Sequence, residues 1–278
     1  MGKIVAIGGG EIGGSILDLS MQDITRLSKL GKEIKIPKNV KKRPVETQKI
    51  DEEIIKLSGK KNPRLLFLPT ASWDSNIYVD DVKNHFGKRL GCVVDVLYLV
   101  HRESTKKEIE EKILGADIIY VGGGNTLMMM CLWRKLGVDK VLERVYKNGI
   151  VLSGISAGSI CWFESGLSDS KRFKSLDEQL IKVSGLGLIG AFNCPHYHSE
   201  LYAKDRAFSL KETMKKTPGV AIAVDDFCAF EIVDDSYRII TSKPGASAYK
   251  VYWKRGNFFN EKIEEKQEFL PLVDLLTK

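Results

Sequence analysis

Short, nearly unbroken apolar runs alternate through the first half of the chain with stretches whose apolar positions recur every three or four residues. The runs suit strands buried on both faces, and the periodic stretches suit amphipathic helices. Strands are expected at residues 3–8, 64–69, 93–100, 116–121 and 150–153. Helices are expected at 51–57, 80–90, 105–114, 126–136 and 136–146. This alternation predicts a three-layer α/β fold with a mostly parallel sheet flanked by helices. After about residue 185 the runs shorten: 219–224, 228–233, 237–241 and 246–252 are separated by turns such as Asp234-Asp235-Ser236. They read as antiparallel hairpins at one sheet edge. No linker, repeat or low-complexity tract intervenes, so a single domain over 1–278 is expected.

Composition narrows the function classes. Apolar content of 43% and charged content of 28% are those of a soluble globule. No apolar run approaches the roughly 18 residues that cross a bilayer. The N-terminal run reads as a buried first strand rather than an export signal, and a cytoplasmic protein is expected. The five cysteines are scattered and never in Cys-x-x-Cys spacing, which suits reduced, buried thiols rather than disulfides or zinc ligands. Net charge is +7, with Lys32, Lys35, Lys38, Lys41, Lys42 and Arg43 crowded into one stretch between Gly31 and Pro44. Without interleaved aromatics or a binding module this reads as a solvated basic loop, not a nucleic-acid surface, although positive potential favours acidic substrates.

The most informative segment is 148–159, where a β-branched and apolar run ends in Gly154-Ile155-Ser156-Ala157-Gly158 and a helix-compatible stretch follows. A serine held between strand and helix by flanking glycines is the pattern of a nucleophile elbow. Its hydroxyl needs a base to take the proton and a third group to orient that base. Of the four histidines, His85 and His101 suit packing or surface roles. His196 and His198 follow the apolar run 186–192, in a loop at a strand end where catalytic groups of open α/β sheets gather. At i, i+2 they point to opposite faces, so one of them is expected to meet Ser156. Asp169, Asp225 and Asp226 are the candidate third members, each able instead to fix a turn. Oxyanion donors are expected from the Ala157 N–H and from the Gly122-Gly123-Gly124-Asn125-Thr126 loop. The earlier run Gly8-Gly9-Gly10 resembles a nucleotide loop, but no acidic residue at a second strand end supports that, and close packing is the preferred reading. No metal site is expected.

Taken together, G-G-G-N-T at 122–126, G-I-S-A-G-S at 154–159, S-D-S at 168–170 and P-H at 195–196 resemble the peptidase E (α-aspartyl dipeptidase) family. These are serine peptidases on the class I glutamine amidotransferase-like fold, with cyanophycinase as a relative, and the likeness covers about residues 60 to 235. The resemblance implies Ser156 as nucleophile, His196 as base, Asp169 as the acidic member, and Gly124 with Ala157 as oxyanion donors. A family glutamate falls on Asp226, so Asp169 and Asp226 both stand as candidates. The arginine-bearing segment that the family uses to recognise an N-terminal aspartate is not clearly matched, with Lys204 and Arg206 falling nearby. Asn125 and Arg206 are the expected substrate-binding residues. The chain departs from the family in a basic insertion around residues 32–49 and a C-terminal strand extension.

The function expected is that of a serine exopeptidase acting on dipeptides or short peptides, with a preference for an acidic N-terminal residue and no cofactor. The competing reading is a non-catalytic ligand- or peptide-binding member of the same fold. A homodimer joined through the C-terminal hairpins is a further expectation.

Overall fold

A computed structural model describes residues 2–17, 21–175, 177–199 and 203–278. Among them the strands are β1 (Lys3–Ile7), β2 (Arg64–Leu68), β3 (Val93–Val96), β4 (Ile118–Val121), β5 (Val151–Ile155), β6 (Phe163–Ser168) and β7 (Ile181–Ser184). They continue with β8 (Ile189–Pro195), β9 (Ala221–Val224), β10 (Cys228–Val233), β11 (Ser236–Thr241), β12 (Ala248–Lys254), β13 (Asn257–Ile263) and β14 (Leu270–Pro271). The α-helices are α1 (Met21–Lys29), α2 (Gln48–Leu57), α3 (Asn76–Val82), α4 (Lys106–Leu114), α5 (Thr126–Leu136), α6 (Val138–Lys147), α7 (Ala157–Ile160), α8 (Ala203–Lys215) and α9 (Leu272–Leu276), and α3 continues as a π-helix over Lys83–Arg89. None is long and apolar enough to cross a membrane among the described residues.

The strands form two sheets. The larger runs β14-β11-β10-β1-β5-β4-β2-β3, and the smaller runs β13-β12-β9-β8-β6-β7. In the larger, β1, β5, β4, β2 and β3 are parallel and β10 joins β1 antiparallel. Side chains alternate between its faces, as the period of two requires. Ile4, Leu66, Leu68, Ile119 and Val121 pack with Ile113, Met129 and Leu142 of α4, α5 and α6. Val5, Ile7, Leu65, Phe67 and Tyr120 pack with Ile50, Ile54, Val79 and Val82 of α2 and α3. Helices on both faces explain the continuous apolar runs seen in the sequence.

Local chemistry places the ends of these elements. The Thr105 side chain accepts from the Glu108 N–H at 3.1 Å and starts α4, a capping arrangement at Thr-x-x-Glu spacing. Gly137, at φ +77°, ends α5 in the left-handed region and α6 begins at the next residue.

Three expectations change in detail. The run 93–100 forms a strand only to Val96; beyond it the Leu99 and Val100 N–H groups donate to the Asp74 carboxylate at 2.8 and 2.7 Å instead of to a neighbouring strand. The stretch after Ser156 is helical for one turn and then becomes β6. The C-terminal runs do not share one edge. β10 and β11 extend the larger sheet, whereas β9 and β12 belong to the smaller one, where β8 and β9 are parallel. Alternation along a strand specifies its buried faces but not which sheet it joins.

Candidate active site

Ser156 follows β5 with φ 56° and ψ −108°, a conformation that side-chain sterics disfavour and that nucleophile elbows adopt. The flanking glycines make this turn possible. A Cβ on Gly154 would stand 2.5 Å from the Gly158 oxygen, and one on Gly158 would stand 2.1 Å from the Val121 oxygen. The Ser156 N–H donates to the Ile7 oxygen at 3.1 Å, and its own carbonyl accepts from Ser159 and Ile160 at 3.0 Å. The serine is thereby fixed at the carboxyl ends of β1 and β5, half-buried rather than sealed in the core.

The smaller sheet supplies the histidine and its carboxylate. His196 follows β8 and Asp226 lies two residues beyond β9, and these parallel neighbours align Pro195 with Val224. The His196 Nδ1 lies 2.5 Å from Asp226 Oδ1. His198 takes the preceding carboxylate, with Nδ1 3.0 Å from Asp225 Oδ1. Asp225 also accepts from the His198 and Ser247 N–H groups at 3.1 Å. Two adjacent aspartates on an extended segment thus serve two histidines at i, i+2. Burial pushes both carboxyls up, but at Asp226 the hydrogen bond and charge of His196, with contributions from Ser199 and Arg206, outweigh it and hold the group below the ordinary value. Asp225 stays above its ordinary value, burial outweighing His198 and the amide donors.

Gly9 joins the two sheets at this point. It pairs with Asp226 as an isolated parallel bridge, and its carbonyl accepts from the Phe227 N–H at 2.8 Å. A Cβ there would stand 1.9 Å from Asp226 Oδ1 and 2.4 Å from His196 Nδ1. Since Ile7, two residues earlier, carries the serine N–H, both groups meet the end of β1. The first glycine run therefore serves close backbone approach, and Gly9 is a site residue whose role the sequence did not specify.

Across the site, Gly124 adopts φ +134°, and a Cβ there would stand 2.2 Å from the Ala71 oxygen. Its N–H has no backbone acceptor among the described residues. Gly123 lies beside Ser156, since a Cβ built on it would be 4.0 Å from Ser156 Oγ. Asn125, expected to bind substrate, is instead 9% exposed. Its Oδ1 caps α5 by accepting the Met128 N–H at 2.9 Å, and its Nδ2 donates to the Ser170 oxygen at 3.0 Å. Thr126 and Ser168 join through their hydroxyls at 3.0 Å, so the G-G-G-N-T and S-D-S motifs are bonded to each other.

Asp169 and Arg206 lie against each other. Asp169 Oδ2 lies 3.7 Å from an Arg206 nitrogen, and the Asp169 carbonyl accepts from the Arg172 N–H. Arg206 is 2% exposed and donates to the Pro195 and Leu167 carbonyls at 3.2 and 3.4 Å. It secures the approach to His196 from within the protein. The Lys204 side chain lies outside the described residues.

The neighbouring thiols are held neutral. Burial pushes Cys194 up to about 11 and Cys161 well above its ordinary value.

The family model for peptidase family S51 matches residues 40–240. The chain belongs to peptidase family S51. Among its relatives in that family's range, "Uncharacterized peptidase YgaJ" of Bacillus subtilis (strain 168) is 37% identical over 204 residues, covering 73% of this chain and 84% of that one. "Peptidase E" of Nostoc sp. (strain PCC 7120 / SAG 25.82 / UTEX 2576) is 27% identical over 229 residues, 79% of this chain and 85% of that one. The fold matches the crystal structure of a peptidase from an acI-B1 Actinobacterium with a TM-score of 0.62 at 18% identity, over 97% of this chain and 96% of that one.

Proposed function

We propose that this family S51 chain is a serine-type exopeptidase that hydrolyses dipeptides or short peptides. The observation that carries the reading is the 2.5 Å contact between His196 Nδ1 and Asp226 Oδ1, packed on Gly9 at the strand end that also fixes Ser156. With Nδ1–H donated to Asp226, the other ring nitrogen is the lone-pair site that a general base requires.

In the first step His196 takes the Ser156 proton as Oγ bonds to the scissile carbonyl carbon. The Gly124 and Ala157 N–H groups receive the developing oxyanion. The tetrahedral intermediate then collapses, the C–N bond breaks, and the imidazolium returns its proton to the departing amine. Water repeats the sequence on the acyl-enzyme and releases the acid and free Ser156. Asp226, held ionised below its ordinary range, stabilises the imidazolium in both halves.

The net charge of +7 favours acidic peptides, and the preference proposed is for an acidic N-terminal residue. A panel of dipeptides that includes Asp-Xaa tests the reading through release of free amino acids. Turnover by the wild type and none by Ser156→Ala is expected. Turnover that survives in Ser156→Ala rules out this nucleophile, and ligand-induced thermal shifts without any turnover favour a binding protein.

A further inference from the structure

The Gly122–Gly124 loop beside Ser156 is held from its outer side by a residue of α3. The Gly123 N–H donates to the Tyr78 hydroxyl at 3.4 Å. The Tyr78 ring covers Gly122, where an added Cβ would stand 2.8 Å from Tyr78 Cε1, and it packs edge-on against Phe67 with centroids 5.1 Å apart. Burial pushes the phenol well above its ordinary value, with Glu11, Asp81 and Asp51 acting in the same direction, so the hydroxyl stays neutral at working pH.

Two neighbours on α3 show what sets the place of this hydroxyl. Asn76 accepts from the Ile34 N–H at 3.1 Å and donates to the Ile34 carbonyl at 2.8 Å. Asp81 accepts from the Ser15 hydroxyl at 2.8 Å and from the Lys42 ammonium at 2.7 Å. The basic segment also bridges to the first βα loop through Ile12–Val45 and Ser15–Lys42 pairs. It is thus latched to α3 on both sides of Tyr78. The family model starts at residue 40, so the Ile34 latch lies outside the matched region.

We infer that Tyr78 is a positioning residue for the acyl-transfer site, and that the basic segment, latched through Asn76 and Asp81, holds its hydroxyl against Gly123. This rests on the serine-peptidase reading. Anchoring the Gly123 N–H fixes the Gly122–Gly123 peptide plane on one side of the plane that carries the Gly124 N–H, and the Asn125 N–H, donating to the Ala71 carbonyl at 2.8 Å, fixes the plane on the other side, so the two anchors together set the direction of the Gly124 N–H. An oxyanion donor acts only if aimed at the position the oxyanion will take, so small misalignments lower kcat more than substrate affinity.

The test is Tyr78→Phe, which keeps the ring packing, together with Asn76→Ala and the double variant. Tyr78→Phe is expected to lower kcat about tenfold with KM within about twofold, and to slow Ser156 phosphonylation by a fluorophosphonate in parallel. Asn76→Ala is expected to lower kcat by a smaller factor. The double variant should be no slower than Tyr78→Phe, because the latch acts through the same hydroxyl. Tyr78→Phe with wild-type kcat and wild-type phosphonylation overturns the inference. Multiplicative losses in the double variant overturn the latch. A wild-type chain that the reagent leaves unlabelled overturns the hydrolase reading, and the inference with it.

Discussion

Nδ1 of His196 and Oδ1 of Asp226 lie 2.5 Å apart, and the Gly9 backbone packs against both residues. The pair comes from the ends of β8 and β9 in the smaller sheet, whereas Ser156 comes from β5 in the larger. Ser156 donates its N–H to Ile7, two residues before Gly9. A single strand end is therefore the common wall for Ser156 and an imidazole that are 40 residues apart in sequence (196 − 156).

Gly9→Ala tests that wall. The new methyl would stand 1.9 Å from Asp226 Oδ1, so the carboxylate or the ring must move. Displacement of this kind is expected to cost roughly 100-fold in kcat/KM while the circular dichroism spectrum stays native. Dipeptide kinetics beside a melting curve measure it, and an unchanged kcat/KM contradicts the packing described.

Arg206→Met separates an internal role from a substrate-binding one. The guanidinium is 2% exposed and donates to Pro195 and Leu167 carbonyls. Removing it leaves buried acceptors unpaired, at about 2–3 kcal/mol, which lowers Tm by several degrees. KM for dipeptides should change less than twofold in the protein that remains folded. A large rise in KM with an unchanged Tm contradicts this placement.

Acidification should draw on Asp226. Burial raises its pKa, but the His196 bond and charge outweigh that and leave the folded value below the unfolded one. A depressed carboxylate contributes stability that is present above its unfolded pKa of about 3.9 and is lost as pH falls through the lower folded value. Between pH 5 and pH 3 the wild type should lose more Tm than Asp226→Asn, which lacks the titrating group. Parallel curves for the two proteins contradict the assignment.

Much of the larger sheet was legible because its strands are buried on both faces and flanked by caps and turns that follow from local chemistry, as at Thr105 and Gly137. The tight turn at Ser156 was legible for a similar reason: Gly154 and Gly158 are demanded by contacts within a few residues and with one neighbouring strand. The partner of His196 was not legible. Asp169 and Asp226 both follow strands near the site, and the choice depends on β8 lying beside β9 in register, a long-range pairing with no local signature. The depth of Arg206 and the reach of Tyr78 to Gly123 depend likewise on how α8 and α3 pack. Gly9 was visible as part of a glycine run, but its purpose appears only when a second sheet delivers the groups it must make room for.

The most direct measurement is the rate and position of fluorophosphonate labelling, read by peptide-mapping mass spectrometry in the wild type, Asp169→Asn and Asp226→Asn. A single adduct on Ser156 is expected in all three, formed in Asp169→Asn within about tenfold of the wild-type rate and slowed roughly 1,000-fold or more in Asp226→Asn. An adduct on another residue, or an Asp226→Asn chain that labels as fast as the wild type, contradicts a serine activated by the His196–Asp226 pair.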